Sequence, residues 1–356
     1  MGRFSAFSEN QISTVVNRSC ERFHKQIQAG FQAIRSQKNY KPKTKVRNPS
    51  RYHPVGSTTL PNFLASERLH IAGLTGPDPC YRTTAHPNTT MSDIPRSNEE
   101  WAAQISTVKD QLPETFPVHQ TPVPSAISQT IDHTQLALAA TEQQIDQLCD
   151  EASKYRFATV CVRLNYVARA VQRLQASPDV GVACVVGFHE GMYETSEKEQ
   201  EAREAVKQGA SELDMVLKYP LLKEGKYTEV YEDILGVRKA APLPTKLKVI
   251  LETAQLTRDE IIAGSFLACT AGADFIKTST GFNGAGANVD NVALMRAIAD
   301  LVGKGCKVKA SGGVRSTEDS VRMLKAGAER IGSSSGVKIM QELGGETVSG
   351  VATEGY

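Results

Sequence analysis

The pattern of apolar and polar residues changes near residue 125. After that point, short apolar runs rich in β-branched residues alternate with longer segments whose apolar residues recur at helical spacing. The short runs predict strands over residues 127–132, 159–162, 180–187, 213–217, 247–251, 275–278, 307–310 and 330–331. The longer segments predict helices over residues 166–174, 196–208, 228–239, 259–271, 289–302 and 316–326, with two more beginning near Thr141 and Ser335.

Eight strand–helix pairs follow one another at regular spacing in this part of the chain. Strands alternating with helices indicate a parallel sheet with crossover helices, and eight such units indicate a closed sheet. A glycine precedes three of the strands, at Gly209, Gly272 and Gly327, as expected for helix C-caps. The predicted fold is therefore α/β, a (β/α)8 TIM barrel over residues 126–343.

The first 125 residues lack this regular pattern. Residues 1–90 hold 13 Lys and Arg against 4 Asp and Glu, a net charge of +9 that leaves −7 for the rest of the chain. We interpret them as a mostly disordered basic extension. Residues 91–125 are predicted to form a short helix, over residues 98–111, and a Pro-rich linker, and residues 344–356 a flexible tail. Met91 is an alternative start because the composition changes there.

Composition also limits the partners and the compartment. A basic extension on an acidic body argues against a nucleic-acid-binding core, and no run approaches the roughly 18 apolar residues of a membrane span. The seven cysteines are odd in number and form no C-x-x-C pair, as expected for reduced thiols in an intracellular protein. We therefore expect a cytoplasmic protein; the Arg- and Ser-rich N-terminus leaves mitochondrial targeting as an alternative.

Three charged residues fall where such a barrel carries its chemistry, at the C-terminal ends of the strands. They are Asp214 on strand 4, Lys277 on strand 6 and Lys309 on strand 7. Two lysines on adjacent strands repel each other, which favours a neutral, nucleophilic amine on one of them. Lys277 precedes a loop that can admit a substrate, whereas Lys248 lies near the start of strand 5, away from the catalytic face. A salt-bridge network without catalysis remains the alternative.

The loops after strands 7 and 8 are rich in glycine and serine. In this fold those loops commonly bind phosphate through backbone N–H groups and a helix N-terminus. The alternative for the serines is simple helix capping. The candidate substrate- and phosphate-binding residues, including two after strand 6, are Thr280, Gly281, Gly312, Gly313, Gly332, Ser334 and Ser335.

Metal or cofactor chemistry is not expected. The barrel contains only His133 and His189, too few imidazoles for a typical metal site. His133 is either a core histidine or a group that supports the site indirectly. Its neighbour Asp132, at the end of strand 1, is the better candidate for a proton relay.

These residues lie in motifs that closely resemble the deoxyribose-phosphate aldolase family, from about Ile131 to Leu343. The motifs are Ile131-Asp132-His133-Thr134, Val185-Val186-Gly187-Phe188, Glu212-Leu213-Asp214-Met215-Val216, Val249-Ile250-Leu251-Glu252-Thr253, residues 275–281, residues 309–315 and residues 330–337. They occur in the order typical of the family and are together highly specific.

The resemblance implies reversible cleavage of 2-deoxy-D-ribose 5-phosphate into acetaldehyde and D-glyceraldehyde 3-phosphate. It implies that Lys277 forms a Schiff base, that Lys309 lowers the pKa of Lys277, and that Lys309 and Asp214 transfer protons. The expected partners are small phosphosugars and aldehydes, with no metal or cofactor, and a homodimer is compatible with the resemblance.

Two departures from the family pattern concern loops. His189 follows Phe188 where the family often has proline, and Phe282 stands where some members have a lysine close to the phosphate. Phosphate binding would then depend on backbone amides, the serines and Arg315. The alternatives are a Schiff-base aldolase for another phosphosugar and a phosphosugar-binding barrel without catalysis.

Overall fold

The computed structural model describes residues 94–120 and 124–344, with only the backbone of residues 124 and 125. The predicted basic extension, the alternative start at Met91 and the predicted tail beyond Gly344 lie outside the described residues. The strands are β1 (Ile131–Thr134), β2 (Thr159–Val162), β3 (Gly181–Val186), β4 (Glu212–Val216), β5 (Lys246–Ile250), β6 (Phe275–Lys277), β7 (Lys307–Ser311) and β8 (Arg330–Ser333).

The eight strands form one closed parallel barrel in sequence order. Each strand pairs with the next, and β1 closes the circle by pairing with β8, with Ile131 opposite Ile331. The predicted fold class is thus confirmed. Because all strands run the same way, their carboxyl ends open at one end of the barrel.

A helix follows each strand as predicted, but the short helices at Pro124–Ile127 and Tyr219–Lys223 were not predicted. The helices are α1 (Asn98–Asp110), α2 (Pro124–Ile127), α3 (Glu142–Tyr155), α4 (Val167–Arg173), α5 (Thr195–Lys207), α6 (Tyr219–Lys223), α7 (Tyr227–Ala240), α8 (Arg258–Thr270), α9 (Val289–Val302), α10 (Thr317–Lys325) and α11 (Gly336–Leu343). No helix in these residues is long and apolar enough to cross a membrane.

Local chemistry fixes the helix ends. Thr141 and Thr257 each form a capping box. In each, the threonine hydroxyl accepts from the backbone N–H three residues later, and the side chain of that later residue accepts from the backbone N–H of the threonine. The three glycines predicted before strands have φ angles of +99°, +86° and +107°, a left-handed conformation that favours glycine. Each of them ends a helix and turns the chain into the next strand.

The first strand begins later than predicted. The prediction placed it over residues 127–132, but it spans Ile131–Thr134, and a single 3-10 turn, Ser128–Thr130, precedes it. The hydroxyl of Thr130 donates to the carbonyl of Ile127 at 2.7 Å, which closes the turn and keeps these residues out of the sheet. The apolar residue Ile127 belongs to the core, not to the strand.

Two apolar clusters hold the barrel together. The larger one lies between the outer faces of the strands and the surrounding helices, and it includes Trp101 of α1. The smaller one lies inside the barrel and consists of Leu136, Cys161, Ala183, Val185, Phe188, Val216 and Ile250, with Phe282 packed against it. A group of charged side chains fills another part of the interior.

Candidate active site

Charged side chains fill one part of the barrel interior. Three are acidic and four are basic, and all are buried. We call them the ionic cluster: Asp132, Glu212, Asp214, Lys248, Lys277, Lys309 and Arg330. Groups of this type are almost never buried unless they are paired or functional. With every member ionised, the cluster would hold one positive charge in excess, and a neutral amine on one lysine would balance it.

Strand periodicity brings these side chains together. Successive side chains point to opposite faces of a strand, so every second residue faces the interior. Lys277 is the last residue of β6 and is paired in the sheet with Lys309 of β7. Asp214 of β4 is paired with Lys248 of β5. The barrel places these inward-facing residues opposite one another.

Asp214 lies at the centre of the ionic cluster. Its Oδ2 accepts hydrogen bonds from the Nζ atoms of Lys277, at 2.8 Å, and Lys309, at 2.7 Å. Its Oδ1 accepts one from Lys248 at 2.6 Å. The two lysines predicted to carry the chemistry therefore share one carboxylate oxygen. The salt-bridge network considered from the sequence does exist, and it contains both lysines.

Asp132 holds the other side of Lys309. Its Oδ2 accepts from Lys309 Nζ at 2.5 Å, and its Oδ1 accepts from Arg330 at 2.5 Å. Arg330 also donates to Glu212, at 3.0 Å. Asp132 thus contacts the lysine of the predicted proton-transfer pair, as a relay residue would need to.

The two lysines differ in their ionic partners and therefore in their pKa. Burial and the charge of Lys309 lower the pKa of Lys277 below its usual range, although Asp214 opposes them. For Lys309, burial acts in the same direction, but Asp132 and Asp214 outweigh it and raise the pKa. Among the described residues, Lys277 forms an ion pair with one carboxylate and Lys309 with two. A neutral amine is therefore favoured on Lys277 and not on Lys309.

The carboxyl groups of the cluster stay ionised. Burial alone would raise the pKa of Asp214, but Lys248, Lys277 and Lys309 outweigh it and hold the pKa well below its usual range. Lys309, Lys248 and Arg330 do the same for Asp132. Both carboxylates can therefore hold lysine ammonium groups in fixed positions.

The position predicted for Lys248 was wrong. It lies in the middle of β5 and not at its start, and its Nζ is fully buried in the ionic cluster. Its Nζ lies 2.7 Å from Glu212 Oε2 and 3.5 Å from Asp132 Oδ2, in addition to its bond to Asp214. These three carboxylates raise its pKa, although burial opposes them. Lys248 is a permanent cation beneath the site.

A pocket opens above the cluster at the ends of β6, β7 and β8. It includes six of the seven predicted substrate- and phosphate-binding residues. It is lined by Thr134, Leu136, Thr280, Gly281, Phe282, Ser311, Gly312, Gly313, Val314, Arg315, Gly332, Ser333 and Ser334. Three separate loops therefore meet around one space, as predicted for phosphate recognition.

The serines after β8 differ in their surroundings. Ser334 is exposed and lines the pocket. Ser335 is buried, is not among the lining residues, and makes no side-chain capping bond to α11. Ser333 also lines the pocket, but its hydroxyl donates to the carbonyl of Val314 at 2.6 Å. Of these hydroxyls, that of Ser334 is best placed for a ligand.

Other site residues were missed from the sequence. Glu212 and Arg330 begin their strands, where charged residues are usually solvent-exposed, yet both face the interior. For Glu212 the spacing gave a signal, because this residue lies two positions before Asp214 on the same face of β4.

His133 of β1 faces away from the barrel interior, and its Nε2 lies 2.8 Å from Glu151 of α3.

Cys161 lies among the apolar residues inside the barrel. Burial and the charge of Asp214 raise its pKa to about 11. Its thiol is therefore protonated at neutral pH, which agrees with the packing role expected from the sequence. In the described part of the chain, no group of three or more His, Cys, Asp or Glu side chains is arranged to hold a metal ion.

Comparison with known proteins gives a consistent result. The model of the DeoC/LacD family aldolases matches residues 126–342. A curated deoxyribose-phosphate aldolase from Coccidioides immitis (strain RS) is 57% identical over 248 residues, which cover 69% of this chain and 92% of that protein. Deoxyribose-phosphate aldolase 1 of Staphylococcus aureus (strain N315) is 49% identical over 213 residues, which cover 60% of this chain and 94% of that protein.

Solved structures show the same similarity. A crystal structure from Coccidioides immitis, also 57% identical, gives a TM-score of 0.68 and covers 69% of this chain and 98% of the other. A tetrameric deoxyribose phosphate aldolase from Aeropyrum pernix, 31% identical, gives a TM-score of 0.58 and covers 67% of this chain and 96% of the other. The matched part of the chain includes every member of the ionic cluster and the pocket above it.

Proposed function

This chain belongs to the DeoC/LacD family of aldolases, and on that premise we propose that it cleaves 2-deoxy-D-ribose 5-phosphate reversibly into acetaldehyde and D-glyceraldehyde 3-phosphate. It is thus a carbon–carbon lyase that acts through a lysine Schiff base. The observation that carries this proposal is the contrast between Lys277 and Lys309. The two amines share Asp214 Oδ2, and their pKa values are shifted in opposite directions.

The first step is the formation of the Schiff base. The neutral amine of Lys277 attacks the C1 aldehyde carbon of the open-chain sugar and gives a carbinolamine. The ammonium of Lys309 gives a proton to the departing hydroxyl, which leaves as water. A positive iminium then stands at Lys277 while Lys309 becomes neutral, so the net charge of the buried cluster does not change. This conservation of charge matters because an extra buried charge is costly.

The second step breaks the carbon–carbon bond. Lys309, now neutral, takes the proton of the C3 hydroxyl, and the C2–C3 electron pair moves into the iminium. D-Glyceraldehyde 3-phosphate leaves, and a neutral enamine remains on Lys277. Lys309 then protonates the enamine at C2, and water hydrolyses the resulting acetaldehyde iminium. Hydrolysis releases acetaldehyde, the neutral amine of Lys277 and one proton, which returns Lys309 to its ammonium form. Asp214 bridges the two nitrogen atoms throughout, and Asp132 holds Lys309 in place.

The phosphate of the substrate binds in the pocket formed by the loops after β6, β7 and β8. The supporting observation is the convergence of Gly281, Gly313 and Ser334 on one space that also contains Arg315. Small residues leave backbone N–H groups accessible to an anion, and Arg315 supplies a positive charge. The carbon chain of the sugar extends from the phosphate in this pocket to the amine of Lys277.

The proposed enzyme acts in the cytoplasm, and a homodimer is the assembly to be tested. The five cysteines of the described residues are buried free thiols, which is compatible with a reducing compartment. The relative from Aeropyrum pernix is tetrameric, so a sedimentation measurement on this protein should distinguish a dimer from that assembly. Fractionation of the source cells would distinguish the cytoplasm from mitochondria.

Borohydride trapping tests the central proposal. Reduction in the presence of acetaldehyde should attach a two-carbon group to Lys277, which peptide mass mapping would locate. Lys277→Met should abolish both the adduct and the cleavage of the phosphosugar. Lys307→Met is the matched control, since this lysine lies on neighbouring β7 with its side chain 53% exposed and should leave both unchanged.

Each alternative predicts a different result. An adduct on Lys309 would reverse the roles of the two lysines. Trapping with dihydroxyacetone phosphate but not with acetaldehyde would indicate an aldolase for another phosphosugar. A phosphosugar that binds without any trapped adduct would indicate a barrel that binds but does not catalyse.

A further inference from the structure

Glu252, two residues after the end of β5, is a buried carboxyl group outside the ionic cluster. Its exposed fraction is 1%, and its backbone has φ and ψ of +60° and +60°. Burial raises its pKa above the usual range. A left-handed backbone is uncommon for a residue other than glycine, and a buried carboxyl group is costly. Glu252 combines both features, which are typical of functional sites.

Both oxygens of Glu252 are directed at a single residue. The hydroxyl of Thr280 donates to Oε2 at 2.5 Å, and the backbone N–H of Thr280 donates to Oε1 at 3.3 Å. Thr280 lies three residues after Lys277, is buried, and lines the pocket. The carboxyl group therefore fixes the chain that connects the reactive lysine to the pocket wall.

The hydrogen bonds continue into the pocket wall. Thr280 Oγ1 also accepts from the backbone N–H of Phe282, at 3.1 Å. Because the Thr280 hydroxyl donates to Glu252 Oε2, the carboxyl group determines the direction of that O–H bond. That leaves the lone pairs of the hydroxyl available to Phe282. Gly281, between them, has a φ of +87°, and the turn 280–282 is thus held by hydrogen bonds on both sides of its glycine.

This arrangement changes the role expected of Thr280. From the sequence it was a candidate ligand of the substrate, yet its N–H and O–H groups both point to Glu252. It lines the pocket without offering either donor to a phosphate. The anion must then be met by other groups, and the position of Gly281 and Phe282 depends on a carboxyl group that does not touch the substrate.

We propose that Glu252 is a positioning residue that sets the shape of the phosphate pocket by holding the turn 280–282 through Thr280. This proposal rests on the proposed function, and it makes Glu252 important for binding the phosphorylated end of the substrate but not for the chemistry at Lys277. A side chain that merely stabilised the fold would affect all substrates and both kinetic constants.

The test uses the full chain with Glu252→Gln, Thr280→Val and the double variant. Glutamine has one acceptor oxygen and places an NH2 donor against the Thr280 hydroxyl, so it cannot satisfy both Thr280 donors. We expect KM for 2-deoxyribose 5-phosphate to rise about tenfold or more in each single variant, as for the loss of a charge-assisted hydrogen bond. The kcat, and the KM for unphosphorylated 2-deoxyribose, should change less than about threefold.

The double variant and a conservative variant make the test specific. Since Glu252 acts through Thr280, the double variant should be no worse than the worse single variant. Thr280→Ser keeps the hydroxyl and should retain a nearly normal KM. Acetaldehyde trapping at Lys277 should proceed at the normal rate in all of them.

Several results would overturn the proposal. Effects that multiply in the double variant would mean that Glu252 acts independently of Thr280. Equal losses on the phosphorylated and unphosphorylated sugars would mean a structural or chemical role. If Glu252→Gln fails to fold, Thr280→Val alone decides, because an unchanged KM there would also refute the proposal. Failure of the proposed function is distinguishable, since the unaltered protein would then form no acetaldehyde adduct.

Discussion

At the scale of single residues, the site depends on how four buried basic side chains share three carboxylates. Lys248 has ion-pair contacts with three carboxyl groups, Lys309 with two and Lys277 with one. Each additional anion stabilises the protonated form of a lysine, whereas burial alone destabilises it. The number of carboxylate partners therefore separates Lys277, the proposed nucleophile, from Lys248 and Lys309, whose protonated forms are stabilised, although all three are lysines on neighbouring strands.

Lys309→Met should raise the pKa of Lys277, because it removes a positive neighbour and leaves Asp214 with fewer partners. Lys277 would then be protonated at neutral pH, and a rise of roughly two pKa units should slow acetaldehyde trapping by about 100-fold. Turnover of the phosphosugar should fall further, because the proposed proton carrier is also lost. The rate of acetaldehyde trapping should recover as the pH rises through the new pKa. Trapping should be measured across pH beside Lys307→Met as the control, and a loss that does not depend on pH would contradict this explanation.

Lys248→Met should destabilise the protein, because it leaves the buried Asp214 and Glu212 without their common cation. Removing one partner of a buried ion pair costs about 3–5 kcal/mol. Lys246→Met is the matched control on the same strand, since Lys246 also pairs with Glu212 but is 49% exposed, and it should cost less than about 1 kcal/mol. The free energies of unfolding of the two variants would be measured by denaturant titration. Equal values would show that Lys248 does not compensate the negative charge of Asp214 and Glu212.

At the scale of elements, the pocket depends on one loop fastened to its neighbours. The loop of residues 278–288 joins β6 to α9. Near its end, the N–H of Ala287 donates to the carbonyls of Ser311 and Gly312, at 3.1 and 3.0 Å. In its middle, Asn283 donates to the hydroxyl of Tyr219 at 3.1 Å. The loop thereby holds the end of β7, so two walls of the pocket are fixed together.

Gly286→Ala should disrupt this contact between the two loops. A Cβ at residue 286 would lie 2.0 Å from the carbonyl oxygen of Gly312, which is backbone and cannot move aside alone. The walls would have to separate, and KM for the phosphosugar should rise about tenfold or more, while acetaldehyde trapping at Lys277 should persist. Ala285→Val, at an exposed neighbouring position, is the control. A normal KM in Gly286→Ala would show that the pocket tolerates this displacement.

At the scale of the whole molecule, helix α1 completes the outer layer of the barrel. Trp101 is fully buried against Tyr231 of α7 and Phe266 of α8, with ring centroids 4.8 and 6.0 Å apart. Ser97 caps the helix by accepting from the N–H of Glu100. The family match begins at residue 126, so this helix lies outside the matched residues and covers apolar surface on two barrel helices.

Two truncations should therefore behave differently. A chain beginning at Met91 keeps α1 and should retain most of the activity, because every proposed site residue lies between Asp132 and Ser335. A chain beginning at Ser125 also keeps the whole site but exposes the surface under Trp101. Loss of a buried tryptophan side chain alone costs about 3–5 kcal/mol, so the melting temperature of this shorter chain should fall markedly. Activity per folded molecule and melting curves would be compared, and an inactive but folded Met91 chain would assign a role in the site to residues 1–90.

The sequence alone determined the order and type of the elements, because they follow from local chemistry. Apolar periodicity, capping threonines and glycines with positive φ act within a few residues of one another. That Lys277, Lys309 and Asp214 meet was also predictable, but their placement at strand ends was right only for Lys277, because Asp214 and Lys309 lie in the middle of β4 and β7. The start of β1 was misplaced because a local turn at Ser128–Thr130 competes with the extended conformation over the same apolar residues.

Only the tertiary structure decided which charged groups meet. Lys248 was predicted to lie away from the site, because its position along β5 does not show which residue of β4 lies beside it. In a closed barrel the strands are staggered, so the middle of β5 lies opposite Asp214. The pairing of Glu252 with Thr280 likewise joins residues 28 positions apart. Whether a carboxyl group acts as a counter-ion, a proton carrier or a positioning residue depends on such long-range contacts. The local sequence does not contain this information.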